Sequence, residues 1–174
     1  MNHKQIALAA AIGLTTSGAF ADNINSVVAV VPNAAVPGAY SAAWGATHVE
    51  AGAFTDVFTF AGGADGWFSS SLITSGFLDS ANIDFQTVSV NGNAYTLSPN
   101  APVEWATLGL THLNQPFTLT VTGIAAPALT AGASIAASYA GTADITPVPE
   151  PETAALMLGG LGLLGFLARR RKLS

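Results

Sequence analysis

The chain has 174 residues, half of them hydrophobic and only 9% charged, with no cysteine and a formal net charge of −5. That length suits one domain of about 100–150 residues. The missing cysteine excludes a disulfide framework, a thiolate metal site and a thiol nucleophile. All five cations, Lys4, Arg169, Arg170, Arg171 and Lys172, lie near the two ends. Residues 22–148 contain no Lys or Arg, and their eight carboxylates are Asp22, Glu50, Asp56, Asp65, Asp79, Asp84, Glu104 and Asp144, a formal charge of −8 with His48 and His112 neutral. Such a region forms no Lys or Arg salt bridge and cannot neutralise phosphates, which excludes nucleic acid as a partner. It also excludes capture of acidic polysaccharide by basic patches.

Residues 1–21 have the layout of a secretory signal peptide. Lys4 gives a short positive start, Ile6 to Leu14 is apolar, and Ala19-Phe20-Ala21 has the small-x-small pattern of a cleavage site before Asp22. Ala19 and Ala21 are the residues that the cleavage requires. This start predicts export through the Sec translocon.

Residues 22–145 read as an exported, all-β domain. Segments rich in Val, Thr, Ile, Phe and Tyr alternate with Gly, Pro, Asn and Ser. The predicted strands are Ser26–Val31, Thr47–Phe60, Gly66–Leu78, Ile83–Val90, Ala94–Ser98, Glu104–Leu110, Phe117–Thr122 and Ser134–Ile145, the longest with room for a turn or bulge. Asn91-Gly92 suits a type I′ hairpin, because both residues accept positive φ. Alanine dilutes β propensity over Ala125–Ala137. This many short strands predict an antiparallel β-sandwich or jelly-roll-like domain.

One strand carries an anomaly. In Phe54-Thr55-Asp56-Val57-Phe58-Thr59-Phe60 the period of two puts Phe54, Asp56, Phe58 and Phe60 on one face. The Phe face predicts the core, so Asp56 is a carboxylate among aromatics with no Lys or Arg to pair with. It should accept backbone N–H or hydroxyl hydrogen bonds, sit at a strand end or bulge, or hold a cation.

The other polar residues offer no catalytic constellation. His48 and His112 are far apart and lack a local metal-binding spacing, and Ser69-Ser70-Ser71 lacks a G-x-S-x-G setting. Glu50, Asp56 and Glu104 would need to face one another across a sugar to act as a glycosidase pair. Asp65, Asp79 and Asp84 lack the spacing of a calcium loop, and Ala61–Gly66 is a hairpin loop without the Lys of a phosphate loop. The reading is therefore non-enzymatic, with no catalytic residue, metal or cofactor. Trp44, Trp67, Trp105, Tyr40, Tyr95 and Tyr139 are candidates either for the core or for sugar-stacking platforms. Thr118, Thr120 and Thr122 alternate on one strand, too short a series to indicate ice binding.

The tail divides into a Pro-rich linker (146–153), an apolar run predicted as a transmembrane helix (154–168) and a basic end (169–174). Pro149 and Pro151 hold their segment extended and exposed. Ala154 to Ala168 is fifteen residues without a charge, roughly 22 Å as a helix against a ~30 Å hydrocarbon core. Arg169, Arg170, Arg171 and Lys172 would snorkel, lengthen the span and act as a stop-transfer signal on the cytoplasmic side.

Val148, Pro149, Glu150 and Pro151, followed by the Leu/Gly-rich span and the Arg-rich end, resemble the PEP-CTERM sorting-signal family. Ala154 and Glu152 depart from residues common there. The resemblance implies recognition at Pro149, Glu150 and Pro151 by an exosortase, a membrane transpeptidase-like protease. It also implies an inner-membrane-anchored precursor with its domain in the periplasm, later released or attached at the cell surface, and an association with exopolysaccharide, biofilm or extracellular matrix. The same tail is known as an ice-binding protein C-terminal motif, a label that concerns the tail alone. Phe54, Asp56 and Phe58 resemble the signature of an FxDxF subgroup of these proteins, which implies no activity of its own.

Overall fold

The computed structural model describes residues 21–147 and 156–164. The predicted signal peptide up to residue 20, the Pro-Glu-Pro motif and the basic end lie outside the described residues.

Eleven strands run in chain order: β1 Asn25–Ala29, β2 Val31–Pro32, β3 Tyr40–Glu50, β4 Gly52–Ala61, β5 Gly66–Ser75, β6 Ile83–Val90, β7 Asn93–Ala94, β8 Thr96–Leu97, β9 Val103–Leu113, β10 Phe117–Ala125 and β11 Ser134–Pro147. They form two sheets, one ordered β1-β4-β10-β6-β7 and the other β2-β3-β11-β5-β9-β8. All pairings are antiparallel except β1 with β4, which is parallel.

The two sheets face each other as a sandwich, and aromatic residues bridge them. Trp44 of β3 meets Phe58 of β4 at 4.8 Å between ring centroids, Phe68 of β5 meets Phe117 of β10 at 5.4 Å, and Tyr139 of β11 meets Phe85 of β6 at 5.5 Å. Phe58, Phe60, Phe68 and Phe117 are all buried. Each contributes about 1.5–3 kcal/mol by leaving water. The strict in/out alternation of β4 and β10 is the period of two that the sequence displayed.

Ile83–Val90 has the predicted bounds, and the hairpin after it is as expected. Asn91 and Gly92 have φ of 46° and 80°, and Val90 pairs with Asn93 across them. Three predicted strands need correction. Ser26–Val31 is divided at Val30, with Ala29 in the first sheet and Val31 in the second. Thr47–Phe60 is two strands, not one, because the chain crosses from one sheet to the other at Ala51 and Gly52. Ala51 is anchored there, donating to Ala133 O at 2.8 Å and accepting from Gly132 N at 2.7 Å. Ala94–Ser98 is likewise divided at the buried Tyr95, with Ala94 in the first sheet and Thr96 in the second. The first half of β3, from Tyr40, was not predicted. Its Ala and Gly residues have weak β propensity, and pairing with β11 along its length makes it a strand.

Of the predicted transmembrane helix over 154–168, the structure describes residues 156–164. These residues are helical and exposed. Among the described residues no helix is long and apolar enough to cross a membrane. The flanking residues 154, 155 and 165–168 lie outside the description.

Candidate functional site

The Asp56 anomaly resolves into a buried polar cluster between the sheets. Asp56 projects inward from the middle of β4 with no exposed surface. Its Oδ1 accepts the backbone N–H of Ile24 at 2.8 Å. Its Oδ2 accepts the hydroxyl of Tyr139, which projects from β11 of the opposite sheet. His48 Nε2 stands 3.1 Å from the same oxygen, at an angle too oblique for a directed hydrogen bond. The other ring nitrogen, Nδ1, lies 3.1 Å from the carbonyl of Asp22. A carbonyl only accepts, so Nδ1 carries a hydrogen. The imidazole stacks on Phe54 with 4.1 Å between centroids. Burial, the hydrogen bond and the facing carboxylate together hold the Tyr139 phenol well above its usual ionisation range.

Strand β4 also fixes the start of the domain. Ala21 N donates to Ala53 O at 2.9 Å, Thr55 N donates to Asn23 Oδ1 at 2.7 Å, and Val57 N donates to Ile24 O at 2.8 Å. Phe54, Asp56 and Phe58 thus act together. The two rings pack in the core, and the carboxylate ties residue 24, β4 and β11 to one point. The expectation that Asp56 accepts backbone and hydroxyl donors holds. Its proximity to His48 was not anticipated, although both residues are even-numbered within one predicted strand. The crossing at Ala51 turns such same-face residues into residues that face one another. Tyr139, 83 positions away, had no local signal.

A second carboxylate, Glu104 of β9, is also buried. Its Oε2 accepts Phe85 N at 2.9 Å and its Oε1 accepts Ala101 N at 3.3 Å. Its pKa is raised, chiefly by burial; the two backbone donors lower it, and neighbouring Asp84 raises it further. Asp84 is held by Asn82 and Asn100 at 2.8 and 3.1 Å. Glu50 is exposed at the end of β3. Asp56 and Glu104 are both closed to solvent, so the three do not flank a space that a sugar could enter. Asp65 accepts Gln115 N in a loop at 2.8 Å, and among the described residues no group of three His, Cys, Asp or Glu is arranged to hold a metal ion.

The aromatic candidates separate cleanly. Trp44, Tyr95 and Tyr139 are core residues and Tyr40 packs partly against the core. Trp67 and Trp105 remain 46% and 43% exposed, on the outer face of the β3-β11-β5-β9 sheet. Trp105 pairs across with Ile73, so the indoles stand about 20 Å apart along the strands at ~3.4 Å per residue. Beside Trp105 lies a shallow apolar trough of about 520 Å³, lined by Ala43, Ser71, Ile73, Thr107, Ala140 and Thr142. Trp67 is covered at its edge by His112, 5.5 Å away.

The remaining candidate is the tail. Residues 147–172 match the PEP-CTERM protein-sorting motif. The tail is a PEP-CTERM sorting signal. The matched stretch includes Val148, Pro149, Glu150, Pro151 and the four basic residues, and it begins on the last residue of β11. A PEP-CTERM signal makes this an exported protein sorted by an exosortase. The PEP-CTERM match does not extend to Phe54, Asp56 and Phe58. Comparison with the curated proteins and with the solved structures finds no match.

Proposed function

We propose that the chain is the precursor of a non-enzymatic envelope protein whose β-sandwich serves as a structural or adhesive component of an extracellular matrix. The observation that carries this reading is the PEP-CTERM motif at 147–172, attached directly to a sandwich whose buried carboxylates are committed to structural hydrogen bonds. The Sec translocon exports the precursor. The apolar stretch and Arg169, Arg170, Arg171 and Lys172 hold it at the inner membrane while the domain faces the periplasm. The exosortase then acts near Pro149–Pro151. Cleavage there removes every Arg and the Lys at position 172 and delivers an acidic domain to the surface or the medium, beside exopolysaccharide. Membership of the FxDxF subgroup is part of this reading, supported by Phe54, Asp56 and Phe58. Mass spectrometry of the exported product tests the scheme. A mature C-terminus close to the motif is expected, and an intact basic tail on the released protein would refute it.

A second reading, a module that binds neutral carbohydrate, is favoured by Trp67 and Trp105 standing exposed on one sheet face among Ser and Thr hydroxyls. Aromatic faces of this kind can stack on sugar rings. A glycan array that stays silent at high protein concentration would remove it.

A further inference from the structure

The sandwich leaves one long strand edge open. Strand β3 pairs with β11 on one side over most of its length, while on the other side β2 covers only Tyr40 and Ser41. No strand lies beyond Ala42 to Glu50 in the described structure. The other edges are blunted. Strand β1 has five residues. The edge of β6 is met by β7 at Ser89 and Val90, by Tyr95 N on Val88 O, and by the Glu104 carboxylate on Phe85 N. The edge of β9 is met by β8 and by Ser98, which takes Trp105 N on its hydroxyl, and beyond that its pairing with β5 is irregular. By contrast Ala42-Ala43-Trp44-Gly45-Ala46-Thr47-His48-Val49 carries no Lys, Arg, Asp, Glu or Pro. Its pairing with β11 has no bulge from His48 down to Tyr40. Unpaired backbone donors and acceptors along a regular, uncharged edge are a template for another strand.

We infer that this edge is a self-association site, at which β3 pairs antiparallel with β3 of a second copy and joins the two larger sheets into one. The edge is self-complementary. A two-fold axis through Ala46 sets Ala43 against Val49 and Gly45 against Thr47, a small residue facing a larger one in both cases. The chemistry also favours a second copy over a charged peptide, because no ionised side chain from Ala42 to Val49 is present to select one. An isologous contact of this kind closes as a dimer. Two domains of net charge −8 repel at long range, so the dimer tightens as salt rises and the Debye length falls to about 8 Å at physiological ionic strength. A basic partner would show the opposite dependence. The inference concerns the domain and holds whether or not the tail is cleaved.

The absence of cysteine makes a direct test available. The full chain is purified in mild detergent with a single cysteine at Thr47→Cys, or with a control at Thr107→Cys on the same outer face but on β9. A short thiol-reactive cross-linker should trap Thr47→Cys as a dimer, more completely at high salt, and leave the control monomeric. The double substitution A43K/V49K places lysine opposite lysine while lowering the overall charge, and it should abolish the dimer in sedimentation without changing the circular dichroism spectrum. Equal cross-linking of both cysteines would mean contact through the tail or micelle and would overturn the inference. So would a monomer at every salt concentration, or a dimer that survives A43K/V49K.

Discussion

Removal of the Asp56 carboxylate should be the most damaging polar substitution in the domain. Asp56→Ala leaves the Ile24 N–H and the Tyr139 hydroxyl without their acceptor and His48 without its facing charge, all in a site with no solvent access. Hydrogen bonds to a charged group contribute about 1.5–3 kcal/mol each, and two of them end on this carboxylate. The expected loss is therefore about 3–6 kcal/mol from a total of about 5–15 kcal/mol for an ordinary domain. Asp56→Asn keeps the shape and one acceptor for Ile24, and should lose about 1.5–3 kcal/mol. Tyr139→Phe removes the hydroxyl alone and should lose a similar amount. Because both act on Oδ2, the double variant should fall short of additivity, with a coupling of about 0.5–3 kcal/mol. Urea unfolding followed by tryptophan fluorescence measures all four, with Trp44 reporting from 6.1 Å away from Tyr139. The midpoint should move while the slope stays constant. An Asp56→Ala variant within about 1 kcal/mol of the parent, below the ordinary cost of an orphaned buried group, would refute the view of Asp56 as a structural tie. It would instead point to a carboxylate retained for binding.

Alkaline pH should unfold the domain earlier than its composition suggests. Burial pushes the Tyr95 phenol up to about 12, and Tyr139 moves the same way. A raised folded pKa means the native state holds its protons longer, so stability is full below about pH 10 and is lost as pH climbs through 10 to 12. Urea midpoints between pH 9 and 12 should fall steeply, and Tyr95→Phe should make that fall shallower; an unchanged slope in the variant would contradict the assignment. Glu104→Gln removes the charge that burial and Asp84 disfavour, but it turns one of two acceptor oxygens into an NH2 facing a backbone N–H, so it should cost about 1–3 kcal/mol at neutral pH. A loss above about 3 kcal/mol would show that the ionised form is needed for its hydrogen bonds to Phe85 and Ala101. Gly141→Ala should destabilise by about 1–3 kcal/mol, the usual cost of overpacking. The added carbon would come within 2.6 Å of both Ser71 O and the Trp44 ring, and thermal melting would detect the change.

Local chemistry made much of this protein legible from sequence. The alternation in Phe54 to Phe60 needs only the pleat of a strand, and it placed three rings in the core and Asp56 beside them. Asn91-Gly92 needs only two residues tolerant of positive φ, and the hairpin is there. The sorting tail is a linear motif, so its signal is contained in its order of residues. Pairing across the fold was not legible. Nothing near Asp56 points to Tyr139, because the two meet only when β4 and β11 come to lie in facing sheets. Nothing in the Ala- and Gly-rich start of β3 favours a strand until β11 supplies hydrogen bonds along it. The exposure of Trp67 and Trp105, against the burial of Trp44, follows from which face of a sheet each occupies, and a sheet has an inner face only once the other sheet covers it. The sequence by itself determined the alternating strands, the acidic cation-free domain and its address. The tertiary structure decided which polar groups are sealed in, which aromatics reach solvent and which edge stays open, because each depends on contacts between residues far apart in the chain.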